Sequence, residues 1–307
     1  MHEVILTIPV APPFRVEFTV WLLRRREKNT MDRWDGRSYS RVLVVDGVPT
    51  KLTASQAGIA KQPQLSVTIQ SHESLSLSQC AYVQATMQKM LGLAVDLQPF
   101  YVLAQRSPEL DRLAKRFIGV RPPRFPSVFE ALVNAIACQQ LSLDVGILLL
   151  NRLSETFGVA YPDDGDIVYA FPGPEDLADI SEERFRQLGF SYQKARSIKD
   201  LAYRMLHEEL HLEQLEFVSN EQALICLQSI RGIGRWSAEY VLLRGLGRLD
   251  MFPGDDIGGQ NNLQKLLRLT TRPDYGQLKK LTSVWQPYTG FVYFHLLLGG
   301  LYEKQLQ

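Results

Sequence analysis

What this chain lacks narrows it first. It has only three cysteines, Cys80, Cys138 and Cys226, far apart and without any Cys-x-x-Cys spacing. That pattern supports neither a zinc site nor an iron–sulfur cluster, and reduced thiols suit the cytoplasm. It has almost no net charge: 34 Lys and Arg against 33 Asp and Glu leave +1. A global field that gathers polyanions is excluded, so any nucleic-acid binding must come from local groups. No apolar run is long enough to span a bilayer, and the start, Met-His-Glu-Val-Ile-Leu-Thr-Ile-Pro, does not read as a signal peptide. With 45% hydrophobic and 22% charged residues over 307 positions, the composition is that of an ordinary globular protein of two or three domains.

The two ends of the chain are patterned differently. Up to about residue 92, short β-rich segments follow one another: Val4–Ile8, Arg15–Leu22, Ser40–Val45, Pro49–Thr53 and Gln64–Gln70. Asp46-Gly47 is a hairpin turn signal between two of them. A helix over Leu77–Leu91 completes a small antiparallel sheet with a helix on it. Within this part, Arg24-Arg25-Arg26 reads as a solvated turn. From Gln98 the pattern is helical to the end. Arg121-Pro122-Pro123-Arg124-Phe125-Pro126 is a stiff extended linker. Helices are expected at Val128–Cys138, Val145–Phe157, Pro174–Asp179, Glu182–Leu188, Gln193–Leu206, Gly259–Arg268 and Asp274–Trp285. An apolar stretch, Pro287–Leu301, closes the chain; His295 within it reads as a core residue.

The most informative stretch runs from Gln228 to Asp256. Ser219 and Gln222 form a capping box, and Ala223, Cys226, Leu227 and Ile230 make one apolar helical face. Gly232 and Gly234 then break the helix, and a second helix starts near Arg235. A tight Gly-x-Gly turn that opens a helix leaves free N–H groups pointing one way, which suits a phosphate. The same three residues also fit a plain helix connection with a glycine cap. Farther on, Asp255 and Asp256 follow Pro253-Gly254 at a helix start, where a carboxylate caps the helix and suits its dipole. Cys138-Gln139-Gln140-Leu141-Ser142 is a polar turn between helices, with Ser142 able to cap the second.

Taken together, Ile230-Arg-Gly-Ile-Gly-Arg-Trp-Ser-Ala-Glu-Tyr240 and Phe252-Pro-Gly-Asp-Asp-Ile-Gly258 resemble the signature of the helix-hairpin-helix DNA glycosylases, in particular the bacterial 3-methyladenine DNA glycosylase II (AlkA) group. The resemblance is strong from about Arg121 to Asp256 and looser at both ends. It implies an α+β protein: an N-terminal antiparallel sheet with a helix over residues 1–92, then a mostly helical two-lobed core. One lobe is expected over 127–248, the other over 93–126 with 249–307.

The resemblance also implies roles. Asp256, the second of the pair, matches the catalytic carboxylate, with Asp255 as cap or support. Gly232, Gly234, Arg235 and Ser237 match the phosphate-gripping hairpin, and Lys194 a second phosphate contact. Main-chain carbonyls of Gln228, Ile230 and Gly232 match an alkali-cation site, Na+ or K+. Gln140 matches the side chain that fills the hole left by a flipped base, a role Gln139 or Leu141 could share. Trp236, Tyr240 and Tyr288 match the walls of the base pocket. Bifunctional relatives carry a lysine nucleophile where this chain has Trp236, so no Schiff base is expected. The implied activity is monofunctional removal of alkylated purines, such as 3-methyladenine and 7-methylguanine, from double-stranded DNA by a monomer, with no iron–sulfur cluster. A glycosylase for deaminated or oxidised purines, and a non-catalytic DNA-binding module, are the competing readings.

Overall fold

The computed structural model describes residues 1–207 and 209–305, with the side chains of 304 and 305 left aside. The chain is α+β, as expected. Its N-terminal part is an antiparallel sheet of five strands in the order β1-β5-β4-β3-β2: β1 (His2–Pro9), β2 (Arg33–Trp34), β3 (Ser38–Val45), β4 (Val48–Ile59) and β5 (Gln62–Ser71). Asp46 and Gly47 turn β3 into β4 with φ of 48° and 82°, so Val45 faces Val48. That is the primed two-residue turn the Asp-Gly pair announces. Alternate residues of β4 and β5, Leu52, Ala54, Leu65, Val67 and Ile69, are buried against helix α2 (Leu77–Met90).

One expected strand is a helix. Residues 16–22 belong to α1 (Val16–Arg24), and Arg15 is its N-cap. Its apolar residues Val16, Phe18, Val20 and Leu22 repeat every second position, which mimics a strand. They do so because the helix is buried on nearly all sides. Val16, Val20 and Leu23 enter the core of the sheet, while Phe18 and Leu22 enter a second core.

The remaining chain is mostly helical: α3 (Gln98–Ala104), α4 (Pro108–Arg116), α5 (Val128–Cys138), α6 (Leu143–Phe157), α7 (Pro174–Leu177), α8 (Glu182–Gln187), α9 (Tyr192–Leu206), α10 (Asn220–Ser229), α11 (Arg235–Arg244), α12 (Ile257–Leu266), α13 (Tyr275–Thr282) and α14 (Thr289–Gln305). It is not helical throughout. A two-stranded hairpin, β6 (Ala160–Asp163) and β7 (Asp166–Tyr169), turns at Asp164-Gly165. Asp163 in it pairs with Arg33 and Lys51 of the N-terminal sheet.

Two helical cores result. One gathers α5, α6, α9, α10 and α11 around the almost wholly buried α5. The other gathers α3, α4, α12, α13 and α14 around Phe100, Phe117, Phe252 and Phe291, with Phe18 and Leu22 of α1. His295 of α14 lies here, fully buried between Phe100 and Phe291, its Nδ1 2.9 Å from the Phe291 carbonyl. Burial lowers its pKa to about 4, so it sits neutral, a core residue as its surroundings in sequence predict.

Candidate active site

Between the two helical cores opens a cleft of about 1400 Å³. Three helices begin at its edge: α6 after Ser142, α11 after Gly234, and α12 after Asp256. Each presents its N-terminal amides and the positive end of its dipole.

The hairpin forms one lip. Gly232 is at φ +80°, a left-handed conformation, and a Cβ there would lie 2.3 Å from Ser197 Oγ. Only glycine fits both demands. Gly234 caps α11 with no side-chain hydrogen bond, and a Cβ on it would meet nothing within 4 Å. The amides of the turn thus face open space, where a phosphate could approach closely. Arg231, Gly232, Gly234 and Arg235 are exposed and Ser237 is buried. Arg235 is not a free cation: its guanidinium grips Asp255 at 2.8 and 3.1 Å and lies over the Tyr275 ring.

Against the hairpin lies the turn between α5 and α6, and here the structure separates three candidates. Gln139 is occupied, its Nε2 donating to Gly232 O and Ser237 Oγ at 2.8 Å each. It ties this turn to the hairpin. Gln140 sits at φ +55° with its side chain exposed, and Leu141 beside it is 43% exposed. These two stand free at the tip. Lys194 does not fit the phosphate role the resemblance implies. Its Nζ donates to the carbonyls of Ala137 and Gln139 at 2.9 and 2.8 Å, satisfying the C-terminal end of α5. Burial lowers its pKa, so the ammonium serves the turn from inside.

The cap role expected of Asp255 falls to Asp256, which is the N-cap of α12. Its Oδ1 accepts the Gly259 amide at 2.6 Å and its Oδ2 the Trp236 indole N–H at 3.3 Å, and the Tyr293 hydroxyl lies close by. Asp255 instead pairs with Arg235. Helix amides alone would hold the Asp256 pKa down, but they do not prevail here. Burial pushes the carboxyl above its ordinary value and outweighs the donors from Gly259 and Trp236, the nearby Tyr293 hydroxyl and the field of Arg244. The carboxylate remains partly accessible from the cleft that it lines.

The loop that carries Asp256 is held from behind by Glu239 of α11. The Glu239 carboxylate accepts the Gly254 amide at 2.8 Å, the Tyr275 hydroxyl at 2.8 Å and the Lys279 ammonium at 3.0 Å. Gln260 donates to the Gly254 carbonyl at 2.8 Å. The hairpin helix and the loop that carries Asp256 are therefore one unit. Glu239 could have been suspected as an acidic residue on the buried face of an apolar helix.

Of the three aromatics, two line the cleft. Trp236 and Tyr240 stack with centroids 5.4 Å apart and planes at 28°, Tyr240 lying deeper. Tyr288 does not join them. It packs edge-on against Phe100 at 5.8 Å and lines a separate shallow hollow with Asp96 and Arg106. The aromatic that α14 sends into the cleft is Tyr293, five residues on. The solvated-turn reading of Arg24–Arg26 also fails: Arg25 is buried and lines the cleft, with Arg244 of α11 beside it.

Among the described residues, no group of three or more His, Cys, Asp or Glu side chains could hold a metal ion. The hairpin carbonyls remain as donors. Ile230 O accepts the Ile233 amide at 3.1 Å and Gly232 O accepts Gln139 Nε2, so each keeps a second lone pair. With Gln228 in the last turn of α10, this oxygen-only set fits a hard monovalent cation. Nor is any helix of the described residues long and apolar enough to cross a membrane.

Comparison with known proteins agrees with this geometry. Residues 133–287 match the family described as HhH-GPD superfamily base excision DNA repair protein, and residues 5–127 match the AlkA N-terminal domain. A DNA-3-methyladenine glycosylase of Bacillus subtilis (strain 168) is 30% identical over 201 residues. The alignment covers 66% of each chain, so this chain spans just under two thirds of that relative's length. The solved 3-methyladenine DNA-glycosylase of Archaeoglobus fulgidus superimposes with a TM-score of 0.80 at 26% identity, covering 97% of both chains. The 3-methyladenine DNA glycosylase of Schizosaccharomyces pombe, solved in complex with abasic DNA, superimposes at 0.57 and 28% identity, over 65% of this chain and 95% of that one.

Proposed function

Because the chain belongs to the HhH-GPD superfamily of base excision DNA repair proteins, we propose that it is a monofunctional DNA glycosylase that hydrolyses the N-glycosidic bond of alkylated purines in duplex DNA. The observation that carries this reading is Asp256. It is a carboxylate in a half-closed cleft, fixed by the Gly259 amide and the Trp236 indole, with no amine at position 236. Breaking the bond between C1′ and the base nitrogen sends the electron pair to the base and leaves positive charge on the sugar. A pre-oriented anion stabilises that charge, and a water attacks C1′, passing its proton to Asp256 and on to solvent.

Flipping the base out costs a few kcal/mol, and Gln140 and Leu141 on the exposed turn would fill the space it leaves. The amides of Gly232 and Gly234 would hold a phosphate, with Ser237 and Gln139 bracing the turn. An alkali cation held by the carbonyls of Gln228, Ile230 and Gly232 would add positive charge at the same point. The Trp236–Tyr240 stack supplies an aromatic wall, worth roughly 0.5–2 kcal/mol per cationic base contact. Every described residue of the cleft comes from one chain, which supports action by a monomer, on damaged chromosomal DNA in the cytoplasm.

The test uses duplex DNA with a single 7-methylguanine. The expected product is a free base and an intact strand that breaks only after alkali. Strand breaks without alkali, or a complex trapped by borohydride, would contradict the missing-amine argument.

A further inference from the structure

The proposed function gives no task to Arg25. This residue comes from the N-terminal domain, as the C-cap of α1, at φ +62°. A long side chain seldom adopts that conformation, and residues held so tend to gather at functional sites. The guanidinium reaches across into the helical lobe and is 8% exposed. Its Nη2 donates to Asn134 Oδ1 at 2.5 Å, and its Nη1 donates to the Tyr240 hydroxyl at 3.1 Å. Asn134 is itself anchored: its Nδ2 donates to the Glu130 carbonyl at 2.9 Å, and the Glu130 carboxylate pairs with Arg41.

Among the described residues, Arg25 is the one hydrogen-bond partner of the Tyr240 hydroxyl. A guanidinium donates and never accepts. The hydroxyl is therefore the acceptor in that bond, and its own proton is left to offer. Tyr240 and Arg25 both line the cleft, and Arg244, fully buried, adds a second positive charge there. The floor of the cleft thus combines a free O–H donor with two guanidinium groups, against the single carboxylate of Asp256.

We propose that Arg25 is a specificity-determining positioning residue: by occupying a lone pair of the Tyr240 hydroxyl it fixes that hydroxyl as a donor, so the cleft favours release of neutral damaged purines, whose ring nitrogen or carbonyl oxygen gathers negative charge as the base leaves. This rests on the glycosylase reading and deepens it. A cationic base takes the electrons of the broken bond without help. A neutral purine must carry them as negative charge until it takes a proton from solvent. A hydrogen bond from Tyr240 strengthens as that charge grows, so it accelerates release of neutral bases more than cationic ones.

The experiment measures single-turnover release from two duplexes, one carrying hypoxanthine (neutral) and one 7-methylguanine (cationic). The proteins are wild type, Tyr240→Phe, Arg25→Ala, Arg25→Lys and the double variant Arg25→Ala/Tyr240→Phe. Tyr240→Phe and Arg25→Ala should each slow hypoxanthine release about tenfold more than 7-methylguanine release, the loss of one hydrogen bond. Arg25→Lys, which can still donate to the hydroxyl, should restore part of the difference. The double variant should match Tyr240→Phe alone, since Arg25 acts through Tyr240. Equal slowing on both duplexes, additive losses, or a wild type that releases only 7-methylguanine would overturn the proposal. Should Arg25→Ala fail to fold, Tyr240→Phe against wild type decides. A wild type that releases neither base would overturn the glycosylase reading as well.

Discussion

The mouth of the cleft and its floor are built from different materials. The mouth is mostly main chain: the helix starts after Ser142, Gly234 and Asp256, with Arg235 neutralised by Asp255. The floor is charge: Arg25 and Arg244, both buried, and Asp256, half-buried, each braced by hydrogen bonds. The difference explains how a chain of net charge +1 could bind a polyanion. Grip would come from oriented amides, which cost no net charge, while ionised groups are kept for the step that needs them.

The sharpest way to break this division is Asp256→Asn. Release should fall at least ~10²–10³-fold, the usual cost of removing one preorganised electrostatic group, while duplex binding stays within about twofold. A comparable loss of binding would show that the floor also grips. The same change should raise stability near pH 7. The folded carboxyl titrates above its unfolded value, so between the two values the folded state binds more protons and stability falls as pH rises. Asn removes that penalty. A lower melting temperature for Asp256→Asn would contradict a carboxyl raised by burial.

The next effect concerns the helix behind the floor. His295 titrates at about 4 when folded, below its unfolded value. Across that window the unfolded state binds more protons, so stability rises with pH and is lost as pH falls, by ~1.4 kcal/mol per unit. Melting curves between pH 7 and 4 should show this slope, and His295→Phe should flatten it. At the mouth, Gly232→Ala should cost ~1–3 kcal/mol, because a Cβ at φ +80° also meets Ser197, and should weaken binding to undamaged duplex about tenfold. Binding unchanged in that variant would remove the hairpin from the interface.

The smallest expected effect is a shallow salt dependence. With Arg235 and Arg26 paired to Asp255 and Asp144, few cations are left at the mouth to displace counterions. The slope of log K against log salt should be about −2 to −3. A steep slope, near −6 or beyond, would mean that side-chain charge carries the grip.

How far the sequence revealed this contrast follows from its physics. The mouth was legible because Gly232, Gly234 and the Asp255–Asp256 pair are local signals: their conformations are set by neighbours in the chain. The floor was not. Arg25 looked solvated inside a run of three arginines, and nothing local says that α1 ends against α5 and α11. The period-two spacing of Val16, Phe18, Val20 and Leu22 hid the helix that carries it, because a helix buried on most sides loses its one-sided stripe. Tyr288 and Tyr293 are both near the start of α14, and which of them turns into the cleft depends on helix rotation, which a motif does not encode. Asp164-Gly165 is a different case: the turn signal was there, between short β-rich runs, but lay within a region otherwise helical.

The proposed reaction depends on one ionised carboxylate at the start of α12, and the pH dependence of base release tests it most directly. Single-turnover release of 7-methylguanine from duplex DNA should fall on acidification along a single limb, centred above the ordinary carboxylate range because burial raises Asp256. A rate that stays level down to ordinary carboxylate values, or climbs as acid is added, would contradict it.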